Sequence, residues 1–166
     1  MATITMRGKL AQINGQLPKP GKPAPSFTLT RTDLSSASLN DYKGKKVVLN
    51  IFPSIDTGVC AQSVRKFNEE ASKLEKTKVL CISRDLPFAQ ARFCAAEGLE
   101  NVESLSDFKD GNFGKAYGIE LRDGAFQGLH ARAVVVLDEE GHVVYNQLVP
   151  DIGQEPDYTE ALKHVQ

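Results

Sequence analysis

Apolar and polar positions along this chain change period several times, and each change marks an element. Lys46 to Phe52 (KVVLNIF) is a near-continuous apolar run, the pattern of a strand buried on both faces. From Val59 the period lengthens. Val64, Phe67, Ala71 and Leu74 recur at steps of three, four and three, while Arg65, Lys66, Glu69, Glu70 and Lys73 take the other faces, which predicts an amphipathic helix. Lys78 to Ser83 (KVLCIS) predicts a second buried strand. Pro87 to Glu97 predicts a helix with proline in its first turn and Gly98 past its end, and Val102 to Leu105 a short strand. Asn112 to Tyr117 predicts a helical turn closed by Gly118. Arg132 to Leu137 and His142 to Val149, joined across Asp138 to Gly141, predict a hairpin, and Asp157 to Val165 a closing helix. Upstream, Phe27 to Thr30 predicts a strand. Ile4 to Met6 and Lys9 to Ile13, placed around Arg7 and Gly8, predict an N-terminal β-hairpin. The stretch from Pro18 to Pro25 reads as a turn and not as a linker, so residues 1–166 are expected to form one domain.

Strands that alternate with helices and end in a hairpin and a helix imply an α/β sandwich, a mixed central sheet flanked by helices. The order β-α-β-α-β-β-α is that of a thioredoxin-like fold. Composition adds exclusions. Twenty Lys plus Arg against 21 Asp plus Glu leave a net charge of −1, so no overall field recruits nucleic acid or anionic lipid. The longest apolar runs, such as Ala133 to Leu137, fall far short of the roughly 18 residues needed to cross a bilayer. The N-terminus lacks the apolar segment of a secretory signal, and the expected compartment is the cytoplasm. Three cysteines in a chain this long do not form a disulfide framework, so in a reducing compartment they are expected to be free, metal-bound or chemically active.

The stretch Phe52 to Cys60 (FPSIDTGVC) is the most informative, because it puts a cysteine in the first turn of a helix that follows a buried strand. Unpaired N–H groups and the positive end of the helix dipole meet there and favour a thiolate over a thiol. Asp56 or Thr57 would be the N-cap, and Thr57, three residues before Cys60, would present its hydroxyl to the sulfur. Gly58 would keep the approach open. A small buried hydrophobe at Cys60 explains the same residues about as well. Cys81, inside an apolar strand, reads as packing; Cys94, in the middle of a helix, would by itself read the same way.

The pattern Pro53-x-x-x-Thr57-x-x-Cys60 resembles the active-site signature of the peroxiredoxins. Asn50 to Cys60 (NIFPSIDTGVC), Asp85 to Gln90 (DLPFAQ), Arg92 to Cys94 and Ala131 to Val136 (ARAVVV) are similar to the bacterial thiol peroxidase subfamily, over nearly the whole chain. The resemblance implies an atypical two-cysteine peroxidase that reduces hydrogen peroxide and organic hydroperoxides. In it Cys60 attacks the peroxide, Cys94 resolves the sulfenic acid through a transient Cys60–Cys94 disulfide, and Pro53, Thr57 and Arg132 complete the site. It also suggests a homodimer; recycling by thioredoxin is expected because the chain has no C-x-x-C of its own, and no organic cofactor or metal is expected because phosphate-binding signatures and paired metal-ligand spacings are absent.

Ionising the sulfur is not enough for such a reaction. Lowering a thiol pKa from about 8.5 to about 6 gains at most ~30-fold at pH 7, against enzymatic accelerations of ~10⁶-fold or more. Most of the effect must come from donors aimed at the oxygens. A first-turn and a mid-helix cysteine are also expected to lie beyond the ~4.4–6.8 Å Cα separation of a disulfide, so closure requires the turn at Cys60 and the helix from Phe88 to Ala96 to open.

Three other readings compete. Zinc binding by the cysteines meets spacings of 21 and 13 residues, unlike paired structural ligands. Papain-like catalysis would need a histidine beside Cys60, with His130 the candidate. A thioredoxin-fold redox sensor or binding protein would oxidise at Cys60 but turn over slowly. Lys43 to Lys46 lacks the upstream glycine and the following Ser or Thr of a phosphate-binding loop and reads as a solvated loop.

Overall fold

The computed structural model describes residues 2–166. Its central sheet has seven strands. In chain order these are β3 (Thr28–Arg31), β4 (Ser36–Ser38), β5 (Lys46–Ile51), β6 (Thr77–Ser83), β7 (Glu103–Ser106), β8 (Ala133–Leu137) and β9 (Val143–Leu148), arranged β4-β3-β7-β6-β5-β8-β9. The inner strands β5, β6 and β7 run parallel, and β8, β9, β3 and β4 are added antiparallel on the two sides. The mixed sheet expected from the element order is therefore present. β1 (Thr3–Met6) and β2 (Lys9–Gln12) form the N-terminal hairpin, turned at Arg7 and Gly8 with φ of 50° and 81°. Positive φ at both central residues is the two-residue turn whose twist matches a hairpin.

Side chains alternate across the sheet and so separate two cores. Leu49, Ile51, Leu80, Ile82 and Val135 face one way, against the hairpin and α3 (Asn112–Ala116). Val48, Val79, Cys81, Val134 and Val136 face the other way, against α1 (Gly58–Ala71), α2 (Pro87–Glu97) and α4 (Tyr158–Lys163). α1 buries Val64 and Phe67, as its apolar period predicts. α2 buries only Pro87 and Gln90 completely, and is the more weakly anchored helix.

Most boundaries agree within one or two residues of the sequence expectation. Arg132 stands one residue before β8 and not inside it. β4 and the 3-10 turn Leu39–Tyr42 are additions that the apolar pattern does not show, since Ser36 to Ser38 is short and polar. No described helix is long and apolar enough to cross a membrane.

Candidate active site

β5 and β6 are parallel neighbours, and each leads into a helix at the same edge of the sheet. After β5 the chain crosses Pro53 and Ser54 and enters α1 at Thr57, which holds the N-cap position with extended backbone (φ −98°, ψ 146°). Cys60 follows in the first turn with 0% of its surface exposed. Beneath it, Arg132 is 2% exposed, and its Nη2 donates to Cys60 Sγ at 3.3 Å.

The carbonyl of Ile152 holds the guanidinium in place, accepting from Nη2 at 2.8 Å and from Nε at 3.2 Å. That carbonyl is in turn fixed by the hairpin. Thr5 N–H donates to Pro150 at 2.8 Å, Ile152 N–H donates to Thr5 at 3.0 Å, and the Thr5 hydroxyl donates to Asp151 at 2.6 Å. The bonds from the Thr5 hydroxyl and the Gly153 N–H hold the half-buried Asp151 carboxyl below its ordinary pKa. A hairpin far away in sequence thus aims the arginine. Nη1 of Arg132 has no partner among the described residues, and no carboxylate pairs with the guanidinium there. A buried cation without a counter-charge is unfavourable, and the contacting group that can carry a negative charge is the sulfur.

Above this pair lies a cleft of about 290 Å³, walled by Pro53, Thr57, Gly58, Val59, Arg132 and Phe126. A Cβ built on Gly58 meets nothing within 4 Å, so a larger residue there would project into open space. Arg7, Phe126 and Ile152 also line a neighbouring and more apolar cleft of about 430 Å³, between the hairpin and the loop at residues 124–126. A larger cleft of about 530 Å³ lies at the far end of β5 and α1, among Lys46, Lys73 and Lys76, away from the three cysteines.

Thr57 departs from the sequence expectation. Its hydroxyl donates to the Ser54 carbonyl at 3.1 Å and makes no side-chain capping bond, so the donor expected to face the sulfur is turned to the backbone. The Thr57 N–H uses the same carbonyl, at 3.2 Å, and the two bonds fix the turn.

All three cysteines are free. Cys81 is buried within β6, where Asn50 Nδ2 approaches its sulfur at 3.7 Å, and burial pushes its thiol up to about 12. Cys94, half-buried on α2, has its sulfur 3.4 Å from the Ser104 hydroxyl of β7. Cys60 is anchored to Arg132, beside β8. Those two strands are three places apart in the sheet, about 14 Å at ~4.8 Å per step. The structure brings Cys60, Thr57, Pro53 and Arg132 together and leaves Cys94 on the neighbouring helix.

His130 does not join them. Its Nε2 lies 2.8 Å from Asp107, both groups buried, and its ring packs on Phe113 at 5.7 Å. That pairing turns it to Asp107 and removes the Cys–His catalytic reading.

Two side chains and one backbone carbonyl that organise the site escape the linear pattern: those of Ser54 and Asp85, and that of Ile152. Ile152 acts through its carbonyl, for which side-chain identity carries no signal. Asp85, an acid between a buried strand and a proline-started helix, looks in sequence like an ordinary helix-start carboxylate.

The sequence pattern of the redoxin family matches residues 19–162. The chain belongs to the redoxin family. This redoxin is 55% identical over 162 residues to proteins named thiol peroxidase from Mycobacterium tuberculosis and Mycobacterium bovis, covering 98% of this chain and 97% of theirs. Among solved structures, a peroxiredoxin-like protein from Aquifex aeolicus superposes with a TM-score of 0.94 at 38% identity, over 99% of this chain and 96% of that one. A thiol peroxidase from Chromobacterium violaceum shares the fold at a TM-score of 0.91 and 21% identity, over 99% and 95% of the two chains.

Proposed function

We propose that this redoxin is a thiol-dependent peroxidase in which Cys60 attacks hydrogen peroxide and organic hydroperoxides, Cys94 resolves the product, and a thioredoxin-type dithiol restores the enzyme. One observation carries the reading: a buried guanidinium has one nitrogen on the Cys60 sulfur and another without a partner, below an open cleft.

Attack forms an S–O bond as the O–O bond breaks. The sulfur and the hydroperoxide ROOH become a sulfenic acid and ROH, with the thiol proton ending on the leaving oxygen. The charge that develops on the oxygens is met by Arg132. Such a hydrogen bond is strongest when its acceptor is ionised, so Nη2 stabilises the nucleophile while Nη1 is free to follow the oxygen. Thr57, its proton committed to Ser54, offers lone pairs to the hydroxyl of the incoming peroxide and so orients it along the attack line. Pro53 and Gly58 keep the approach shaped and open. The apolar cleft that continues past Phe126 and Ile152 suits an alkyl chain, which supports organic hydroperoxides as substrates alongside hydrogen peroxide.

Resolution condenses Cys60–SOH with Cys94–SH to a disulfide and water. With the two anchors three strands apart, the first turn of α1 and the weakly held α2 open to let the sulfurs meet. The disulfide then exchanges with an external dithiol. The chain has no C-x-x-C of its own, and this supports a thioredoxin as partner. We place this chemistry in the cytoplasm, in a homodimeric chain of one domain.

Peroxide consumption coupled to a thioredoxin system tests the reading. Turnover that depends on Cys60 supports it. Cys60 oxidation that changes a partner contact without turnover would instead favour a redox sensor.

A further inference from the structure

α2 is held to the rest of the molecule by little apolar surface, yet its start is tied down by polar bonds that converge on Asp85. The carboxylate reaches back from the α2 entrance to the segment that leads into Cys60. Oδ1 accepts the Ser54 hydroxyl at 2.7 Å. Oδ2 accepts the Ile55 N–H at 2.7 Å and the Ser83 hydroxyl at 2.6 Å. The Gln90 side-chain amide, on α2 itself, donates to the same Ser83 hydroxyl at 3.2 Å and to the Leu105 carbonyl at 2.9 Å. The Ser106 hydroxyl of β7 donates to the Asp85 carbonyl.

From Ser54 the bonding continues to the cleft. The Ser54 hydroxyl accepts the Asp56 N–H at 3.1 Å, and its carbonyl accepts the N–H and hydroxyl of Thr57. One part-buried carboxylate therefore connects the wall of the Cys60 cleft to the helix that bears Cys94. Bonds to a carboxylate are charge-assisted and roughly twice as strong as neutral ones. Other ties of α2 to the Cys60 side are exposed ion pairs that hold it only weakly: Arg92 to Asp56 at 3.2 Å, with side chains 65% and 63% exposed, and Arg65 of α1 to Glu97, the Arg65 guanidinium also lying over the Phe93 ring.

We propose that Asp85 is a positioning residue of the thiol reaction. Its carboxylate latches the Ser54–Thr57 turn to the α2 start, so that the attack-ready site and the Cys94 helix are held, and released, as one unit. The inference rests on Cys60 and Cys94 being the attacking and resolving thiols. The step it controls balances as Cys60–SOH plus Cys94–SH giving the disulfide and water: the S–O bond breaks, an S–S bond forms, and the oxygen leaves with both protons. Asp85 takes no part in those bonds. An oxygen added to a fully buried sulfur presses on the first turn of α1, and the latch restrains the opening that this favours.

The latch predicts opposite effects on two rates. Without it the Thr57 turn is less well placed, so attack slows; the two segments part more readily, so disulfide closure accelerates. A residue of purely structural importance would slow both. Rapid mixing with hydrogen peroxide separates the two steps, since attack scales with peroxide concentration and closure does not. Asp85→Ala is expected to slow attack about tenfold and speed closure about tenfold, the size expected for the loss of charge-assisted bonds. Ser54→Ala removes one of the three carboxylate bonds and is expected to move both rates the same way by about threefold, and it carries the test if Asp85→Ala does not fold. Faster closure also protects Cys60 from over-oxidation to sulfinic acid in excess peroxide, which mass spectrometry reads directly.

Wild-type protein without a peroxide-dependent phase that Cys60→Ser abolishes overturns the peroxidase reading itself. Wild-type protein that shows both phases, with closure unchanged or slower in the variants, overturns the role of Asp85 alone.

Discussion

Cys60 and Cys81 are almost equally hidden, at 0% and 1% exposure, and both belong to the core on the helix-covered side of the sheet. Their surroundings separate them. At Cys60 the sulfur receives a guanidinium that has no carboxylate partner, at the start of a helix and under a cleft. At Cys81 the sulfur has a carboxamide nitrogen at 3.7 Å, and burial pushes the thiol up to about 12. Equal burial therefore goes with two different electrostatic surroundings. What distinguishes them is the group that donates to the sulfur, a guanidinium at Cys60 and a carboxamide at Cys81, and the cleft that Arg132 lines beside Cys60.

The sharpest break of this comparison is to exchange each sulfur for oxygen. Cys60→Ser is expected to lower peroxide turnover by about 10⁴-fold or more, leaving no nucleophile. Cys81→Ser is expected to stay within about threefold in turnover while costing about 1–2 kcal/mol of stability for the buried hydroxyl. Coupled peroxidase assays and urea titrations read the two effects. Comparable losses of turnover at both positions would erase the distinction.

The next effect in size comes from the donor. Arg132→Lys keeps a charge but cannot hold Ile152 and the sulfur together while presenting a further N–H, and is expected to slow peroxide attack by about 10²–10³-fold. Stopped-flow oxidation at fixed pH measures it. Cys94→Ser is expected to preserve the first attack and to lower thioredoxin-supported turnover by about 10²-fold, because the resolving thiol is no longer held within the same chain.

The smallest effect concerns Cys81 alone. Its thiol remains protonated in the folded protein up to about pH 12, whereas the unfolded chain loses that proton near the ordinary value of 9. Stability from this group is therefore complete below pH 9 and is lost as pH rises from 9 toward 12. The loss amounts to about 1 kcal/mol by pH 10. Urea midpoints at pH 8 and pH 10 are expected to fall less for Cys81→Ala than for wild type. An equal fall in both would mean that Cys81 does not contribute.

The sequence carries the fold well where burial is two-sided. KVVLNI and AVVVL are apolar because both faces of β5 and β8 are covered, and the lengthened period after Val59 reports the single buried face of α1. It carries β4 poorly, since a three-residue edge strand of serine and alanine has no periodicity to show. Cys60 is legible through its place after a buried strand at a helix start. Arg132 is legible only by resemblance, because an arginine beside a strand most often faces solvent, and its burial depends on the carbonyl of a residue 20 positions away. The Thr57 hydroxyl is misread because a three-residue offset fits both the sulfur ahead of it and the Ser54 carbonyl behind it, and the backbone acceptor is the one the structure places in reach. Asp85 stays hidden for a related reason: its partners Ser54 and Ile55 lie 31 and 30 residues upstream, joined to it only by the parallel register of β5 and β6.

Peptide mapping by mass spectrometry, after one equivalent of hydrogen peroxide is added to the reduced protein, tests the central claim most directly. A single intramolecular link between Cys60 and Cys94, with Cys81 recovered as a free thiol, is the predicted result. A link that contains Cys81, or full oxidation without any modification at Cys60, would contradict it.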